Sequence, residues 1–248
     1  MKALLIKTAV IIMLVCHESV LLNAQIDLTK FEIGVNVNAF IYQGDLEPGR
    51  IGSYKTLKPG PGFFISRTLG PVFSLRTNFV FGKLKGDDAK FSNPEYRQQR
   101  NFNFRYPVFE VSELIVMNVF QNNSLGISPY IFGGAGICFL NIKRDWSRFN
   151  AEYFSSELAT LAGLATDAQH SLPRAIPVIQ SGVGIRYPIS QRLSVNAETS
   201  YRFIFTDYLD GFSQAANSDK NDHYLTHSLG VIYRFGKKNS LKCPVILN

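Results

Sequence analysis

Two glutamates and four arginines have the residue types and the setting for chemistry. Glu110 and Glu198, with Arg76, Arg186, Arg202 and Arg234, occupy the polar positions of segments that alternate apolar and polar residues. A carboxylate pair is what general acid–base catalysis uses. Carboxylates balanced by arginines also make a neutralising ion network that fills a narrow interior, and that reading is the one carried forward. Asp167, His170 and Ser171 sketch a hydrolase triad, although residues so close together in one loop rarely meet in triad geometry. His223 and His227 lie near the mouth of the last segment. Asp45, Asp87, Asp88, Asp207 and Asp210 offer hard oxygen ligands for Ca²⁺, but none has EF-hand spacing. Asp also makes Asx-turns at hairpin ends, which is the expected role here. Cys138 and Cys243 form neither a disulfide framework nor a zinc-site spacing. The expectation is a chain with no catalytic residues, no metal and no cofactor.

The elements that must position these residues are strands. Alternation with period 2 puts one side-chain set on each face of a strand. It marks eight segments, at about 31–42, 60–67, 72–83, 106–120, 127–142, 175–187, 192–206 and 224–235. Short turns are expected at 68–71, 121–124 and 188–191, and long loops start near 43, 85, 143 and 207. An even strand count with alternately short and long connections is the layout of an outer-membrane barrel. The fold class is therefore all-β, an eight-stranded antiparallel transmembrane β-barrel with short periplasmic turns and long extracellular loops. Residues 152–168 carry enough Ala and Leu for a short helix.

The last segment sets the phase. If Phe235 faces lipid, so do Tyr233, Val231 and Leu229, and Arg234 and Ser228 point inward. The same logic puts Arg76, Glu110, Gln180, Arg186, Glu198 and Arg202 inside, where eight strands leave only side-chain-sized space. A midplane Arg on the lipid face would cost about 2–4 kcal/mol. Glu113 breaks the pattern, since alternation sends it outward; a bulge or a local interface would account for it.

Composition agrees. Charged residues are 18% of the chain and aromatics 13%, scarce and plentiful respectively, as lipid-facing strands with aromatic girdles require. The formal charge of +7 is scattered rather than gathered into a patch, which argues against nucleic acid as a partner. Lys2, Lys7, an apolar run at 8–15 and Ala24 read as a signal peptide over 1–24. Cys16 lacks the small residue a lipoprotein would place before it. The barrel is expected over 25–236, with a short periplasmic tail over 237–248, an outer-membrane location and outer-membrane lipids as partners.

The loop ends are less generic. Gly44-Asp45-Leu46, Gly82-Lys-Leu-Lys-Gly86-Asp87-Asp88, Arg100-Asn101-Phe-Asn-Phe104, Thr166-Asp-Ala-Gln169 and Thr206-Asp207-Tyr208-Leu-Asp210-Gly-Phe-Ser213 occur in that order. Together they resemble the PorG-like outer-membrane barrel family of Bacteroidota, long labelled as of unknown function, across about 31–235. The chain departs from that family's pattern at Asp167-Ala168, where Glu-Gly is usual, and at Gly211-Phe212, where Asp-Val is usual. The resemblance implies a non-enzymatic scaffold or anchor in type IX secretion and gliding machinery, above a periplasmic ring of PorK-like lipoprotein and PorN-like protein. Two other readings stay open: a stand-alone OmpX-like barrel for adhesion or envelope integrity, and a lipid-modifying barrel enzyme.

Overall fold

The structure, a computed structural model, describes residues 27–49, 52–119, 126–216 and 221–236. Eight strands form: β1 (Phe31–Gln43), β2 (Lys58–Thr68), β3 (Phe73–Asp87), β4 (Asn103–Asn118), β5 (Ser128–Leu140), β6 (Ala175–Pro188), β7 (Leu193–Ile204) and β8 (His223–Arg234). Each pairs antiparallel with its sequence neighbours. β1 also pairs with β8, from Glu32↔Arg234 to Gln43↔His223, which closes the sheet and leaves no open edge. All eight expected strands are present. The largest extension is at the β3–β4 hairpin, where pairing continues up to Asp87↔Asn103. The polar Lys83, Lys85 and Arg105 on this stretch suit a hairpin that rises out of the apolar belt.

The turns at one end are tight: Leu69 and Gly70 N–H groups both donate to the Phe73 carbonyl, and Ile189 and Ser190 both donate to Leu193. The turn expected at 121–124 lies outside the described residues, as do the expected signal peptide and the tail over 237–248. The opposite end carries the four long connections, 44–57, 88–102, 141–174 and 205–222. They contain α1 (Tyr96–Arg100) and α2 (Leu158–Gln169), the second in the stretch where a helix was expected. A two-residue ribbon, Arg144–Asp145, extends the sheet beside Asn103 and Phe104.

Burial alternates along the strands as the phase requires. On β1, Val35 and Val37 are exposed while Asn38 and Phe40 are buried; on β8, Leu229 and Val231 are exposed while Thr226 and Ser228 are buried. The outer face is apolar, with Phe63, Phe79, Phe81, Phe109 and Phe139 in ring-to-ring contact across β2 to β5. A contiguous apolar belt around a closed barrel is stable in lipid, not in water. Glu113 faces outward as expected, but without a bulge: the register runs through Thr77↔Glu113↔Ala135 unbroken. Its carboxylate is accommodated instead by the Thr77 hydroxyl, which donates to it at 2.7 Å.

Candidate functional site

The lumen is filled by ion pairs at three heights. Near the short-turn end, Glu32 receives Arg186 at 3.0 Å and Arg234 at 2.5 Å. Above it, Arg76 meets Glu198 at 2.6 Å. The same Glu198 oxygen accepts from the Tyr130 hydroxyl at 2.5 Å and from Asn196 at 3.2 Å. The Arg76 guanidinium lies 5.0 Å from the Phe64 ring centre and 4.7 Å from that of Phe132. Its Nε and Nη2 have no hydrogen-bond acceptor among the described residues, and the ring faces take their place. Higher still, Arg202 meets Glu110 at 3.2 Å, and Tyr224 donates to the same Glu110 oxygen at 2.5 Å. Arg202 also donates to Ser200 and Thr226. The Gln180 amide links this layer: turned so that its nitrogen faces Glu110 at 3.3 Å, its oxygen accepts from Arg202 at 3.2 Å, the orientation that satisfies both neighbours.

The structure buries Arg76, Glu110, Glu198 and Arg202 in the lumen and divides the expected network into separate layers. Glu110 and Glu198 are not paired with each other: each is engaged by its own arginine and tyrosine at a different height. Nor do Arg186 and Arg234 join that network; both pair with Glu32, which the reading left out. The signal was available, because Glu32 has the inward parity of β1.

Above the ion pairs the mouth is closed by aromatic packing. Phe40, Tyr42, Leu46, Phe102, Phe104, Tyr106, Leu209 and Phe212 belong to one buried cluster. Phe102 and Phe212, from the second and fourth loops, stack with centres 4.3 Å apart. Tyr106 on β4 donates to the Leu209 carbonyl.

The loop motifs build this cap. Asp88 is fully buried and accepts from Arg97 at 2.9 Å and from Arg100 at 2.7 and 3.0 Å. Arg100 reaches on to the Asp45 carbonyl at 3.2 Å, joining the second loop to the first. Asn101 ends α1 in the left-handed region, at φ 52°, which Asn tolerates. Gly86 lies against the Phe104 ring, where a Cβ would collide. Asp87 is peripheral and pairs with Lys85 at 2.8 Å.

Asp167 is the second hub. Its carboxylate accepts from the backbone N–H groups of Ser213, Gln214 and Ala215 at 2.9–3.2 Å, and from the Tyr208 hydroxyl at 3.2 Å. It thereby fastens the third loop to the fourth. Arg144 adds to the same seam through the carbonyls of Gly211 and Asp167, both at 2.5 Å. Gly211, one of the departures from the family pattern, has φ +90° and lies against the Arg144 stem, so glycine suits it on both counts. His170 stacks on Tyr208 at 3.9 Å, and the Asp167 carboxylate faces the fourth loop. Asp167, His170 and Ser171 therefore do not form a triad.

The third hub is acidic. Asp210 and Asp222 are buried, and the Tyr42 hydroxyl lies 2.8 Å from one and 2.5 Å from the other. Asp210 also accepts from the Phe212 N–H, an Asx-turn as expected, and Asp222 from the N–H groups of Leu209 and Asp210. A hydroxyl has one hydrogen, so bridging two carboxyls requires that one of them be protonated. Burial first, then the charges of Asp45 and Asp207 on both and of Asp210 on Asp222, push both carboxyls well above the usual Asp range. Gly44 sits against this group, where any Cβ would overlap Asp222 and Tyr42. Asp222 and Tyr42 were not singled out from sequence. His223 borders a cavity under the cap, whereas His227 lies on the outer face, hydrogen-bonded to Thr199 and Tyr54. Among the described residues, no group of three or more His, Cys, Asp or Glu is arranged to hold a metal ion.

A family described as "Domain of unknown function (DUF6089)" matches residues 6–244. No curated protein matches the chain. Among solved structures, the chain is similar to Neisserial surface protein A at 13% identity, with 83% of this chain and 97% of that one covered and a TM-score of 0.49. It is also similar to Ail, the attachment invasion locus protein of Yersinia pestis, at 11% identity, with 83% and 97% covered and a TM-score of 0.44. OprG of Pseudomonas aeruginosa matches at 9% identity, with 82% and 94% covered and a TM-score of 0.45.

Proposed function

The chain belongs to the DUF6089 family, a domain of unknown function, and from that premise we propose a non-enzymatic scaffold or anchor in the outer membrane, serving type IX protein secretion and gliding. In this reading its partners are the outer-membrane lipids and a periplasmic ring of PorK-like and PorN-like proteins. The supporting observation is the cap. The motifs that carry the PorG-like resemblance are engaged in fastening the cap: Asp88 to Arg97 and Arg100 within the second loop, Arg100 to the Asp45 carbonyl of the first, Asp167 to the fourth loop, and Asp210 to Tyr42 near the end of β1. A barrel with an ion-filled lumen and a fastened cap is a rigid fixture, suited to holding other components.

The test is a deletion strain. Export of type IX cargo is expected to stop while lipid A composition stays unchanged, and His170→Ala or Ser171→Ala alleles are expected to restore export fully. Altered lipid A, corrected by the wild type but not by His170→Ala, would overturn this reading in favour of a lipid-modifying enzyme. One observation favours a second reading, the stand-alone barrel for adhesion or envelope integrity: the motif residues gather on the long-loop side, opposite a periplasmic ring. Intact cargo export with heightened detergent sensitivity in the deletion strain would select it.

A further inference from the structure

The outward side chains of β3, β4 and β5 fall into rungs of distinct chemistry. One rung is aromatic: Phe81 pairs with Phe109 and Phe109 with Phe139, their ring centres 4.6 and 5.8 Å apart. Two residues nearer the long loops stand the paired Lys83 and Pro107, with Asn141 on the far side. In the next outward rung Lys85 pairs with Arg105, and the Arg105 N–H donates to the Lys143 carbonyl at 3.2 Å. Lys85, Arg105 and Lys143 therefore make one cationic rung. Above them Asn103 pairs with Asp87 on one side and with Asp145 on the other. A rise of about 3.3 Å per residue places Lys83 about 7 Å, and the cationic rung about 13 Å, along the strands from the rings. Between rings and cations lies a hollow of about 350 Å³, walled by Phe81, Pro107, Phe109, Phe139 and Asn141.

Like charges directly across a ladder destabilise it, and this face does little to offset them. Asp87 engages Lys85 at 2.8 Å, while Asp145 is taken by Asn103 and by the Ser147 N–H. Lys83, Arg105 and Lys143 are exposed and form no ion pair among the described residues. Lys58, at the start of β2, adds to the repulsion, with Lys85, Arg105, Lys90 and Lys83 all near enough to act on its charge. An anion would relieve this crowding, and a guanidinium such as that of Arg105 suits phosphate best. The setting identifies the anion's carrier. Aromatic residues mark the edge of the apolar layer on a barrel, and the long loops lie on the extracellular side. The cations thus stand at the height of the outer-leaflet headgroups, directly over a surface for acyl chains. A soluble anion would have no use for the rings, whereas an amphiphile with a phosphorylated head uses both. We propose that this wall holds an outer-leaflet glycolipid of the lipid A class, with a sugar phosphate on Lys83, Arg105 and Lys143 and acyl chains against the phenylalanine rung. The inference rests on the outer-membrane setting of the proposed function and not on a role in secretion.

The full chain, purified in tetraethylene glycol monooctyl ether, is titrated with diphosphoryl lipid A, and the retained lipid is counted by native mass spectrometry. Saturable retention is expected, with a Kd on the order of 1 μM. Arg105→Ala combined with Lys143→Ala is expected to weaken it at least about tenfold, and Lys83→Gln alone about threefold. Arg192→Ala, at the short-turn rim, is expected to leave retention unchanged. Lipid A stripped of its phosphates should bind at least about tenfold more weakly, and added salt should weaken the phosphorylated form. The substituted side chains are exposed, so heat-modifiability on gels should persist; Lys83→Gln carries the test if the double variant does not fold. Overturning results are no retention, equal retention by the wild type and the variants, or indifference to removal of the phosphates. Displacement by equimolar glucosamine 1-phosphate would also overturn the proposal, because it marks a site for soluble phosphosugars. Recovery of the chain outside the outer membrane would overturn the location as well, whereas an outer-membrane barrel that retains no lipid A loses this site alone.

Discussion

At Glu198 one carboxylate oxygen receives Arg76, Tyr130 and Asn196, and among the described residues the arginine has no other charged partner. Glu198→Leu leaves that guanidinium buried and uncompensated, which costs about 3–5 kcal/mol. The expected outcome is a lower unfolding midpoint in detergent and urea, and a smaller loss when Arg76→Leu is combined with it. An unchanged midpoint would mean that water reaches the lumen at this height. The acidic group in the cap has the opposite pH logic from a salt bridge. A carboxyl whose pKa is raised on folding stabilises the folded form below its unfolded value, and that contribution is lost as pH rises through the folded value. Asp210 and Asp222 are raised well above the usual 3.8, by burial first, then Asp210 by the charge of Asp45 and Asp222 by that of Asp210. Burial also pushes Glu47 up from 4.5 to about 7. The cap is therefore expected to be tightest in mild acid and to loosen from about pH 5 upward. The chain has a single tryptophan, and Trp146 packs edge-on against Phe212 in the cap, so its emission should shift red between pH 5 and pH 9. Asp222→Asn should flatten that shift; a cap that instead opened on acidification would contradict the protonated pair.

The loops behave as elements because side chains from one satisfy the backbone of another. Asp167, at the end of α2, takes three N–H groups from the fourth loop. Asp167→Ala leaves these donors open and is expected to cost roughly 2–4 kcal/mol of cap stability. The strands keep their own ladders, so far-ultraviolet circular dichroism should not change, whereas protease cutting within 205–222 should accelerate severalfold. If the loops stay resistant, the Phe102–Phe212 stack and Arg144 hold the seam without Asp167.

At the scale of the whole molecule, β1 closes on β8 and three layers of ion pairs cross the lumen among the described residues. Eight strands enclose only enough space for their own side chains. In planar bilayers the protein is expected to show no conductance steps, and Glu32→Ala should not create any, because the Arg76–Glu198 and Arg202–Glu110 layers lie above it. Stable channels in the wild type would refute a filled lumen.

Strand number, strand ends to within a few residues and the inward face were legible in the sequence, because a period of two is a local property of the chain. The parity that sends Leu229 outward sends Arg234 inward whatever the partner strand. Partnership across the lumen was not legible. Arg76 on β3 reaches Glu198 on β7, and Arg186 reaches Glu32, because strand tilt and stagger set the height of each residue, and these belong to the closed sheet. The cap was half legible. The motif residues marked the right loops, but Asp167 becomes a clamp instead of a member of a triad because its acceptors meet backbone donors dozens of residues away. Asp222 escaped notice because nothing beside it in the sequence indicates that Tyr42 and Asp210 will enclose it. Such contacts exist only once four loops share one mouth, where burial turns ordinary loop aspartates into organising groups.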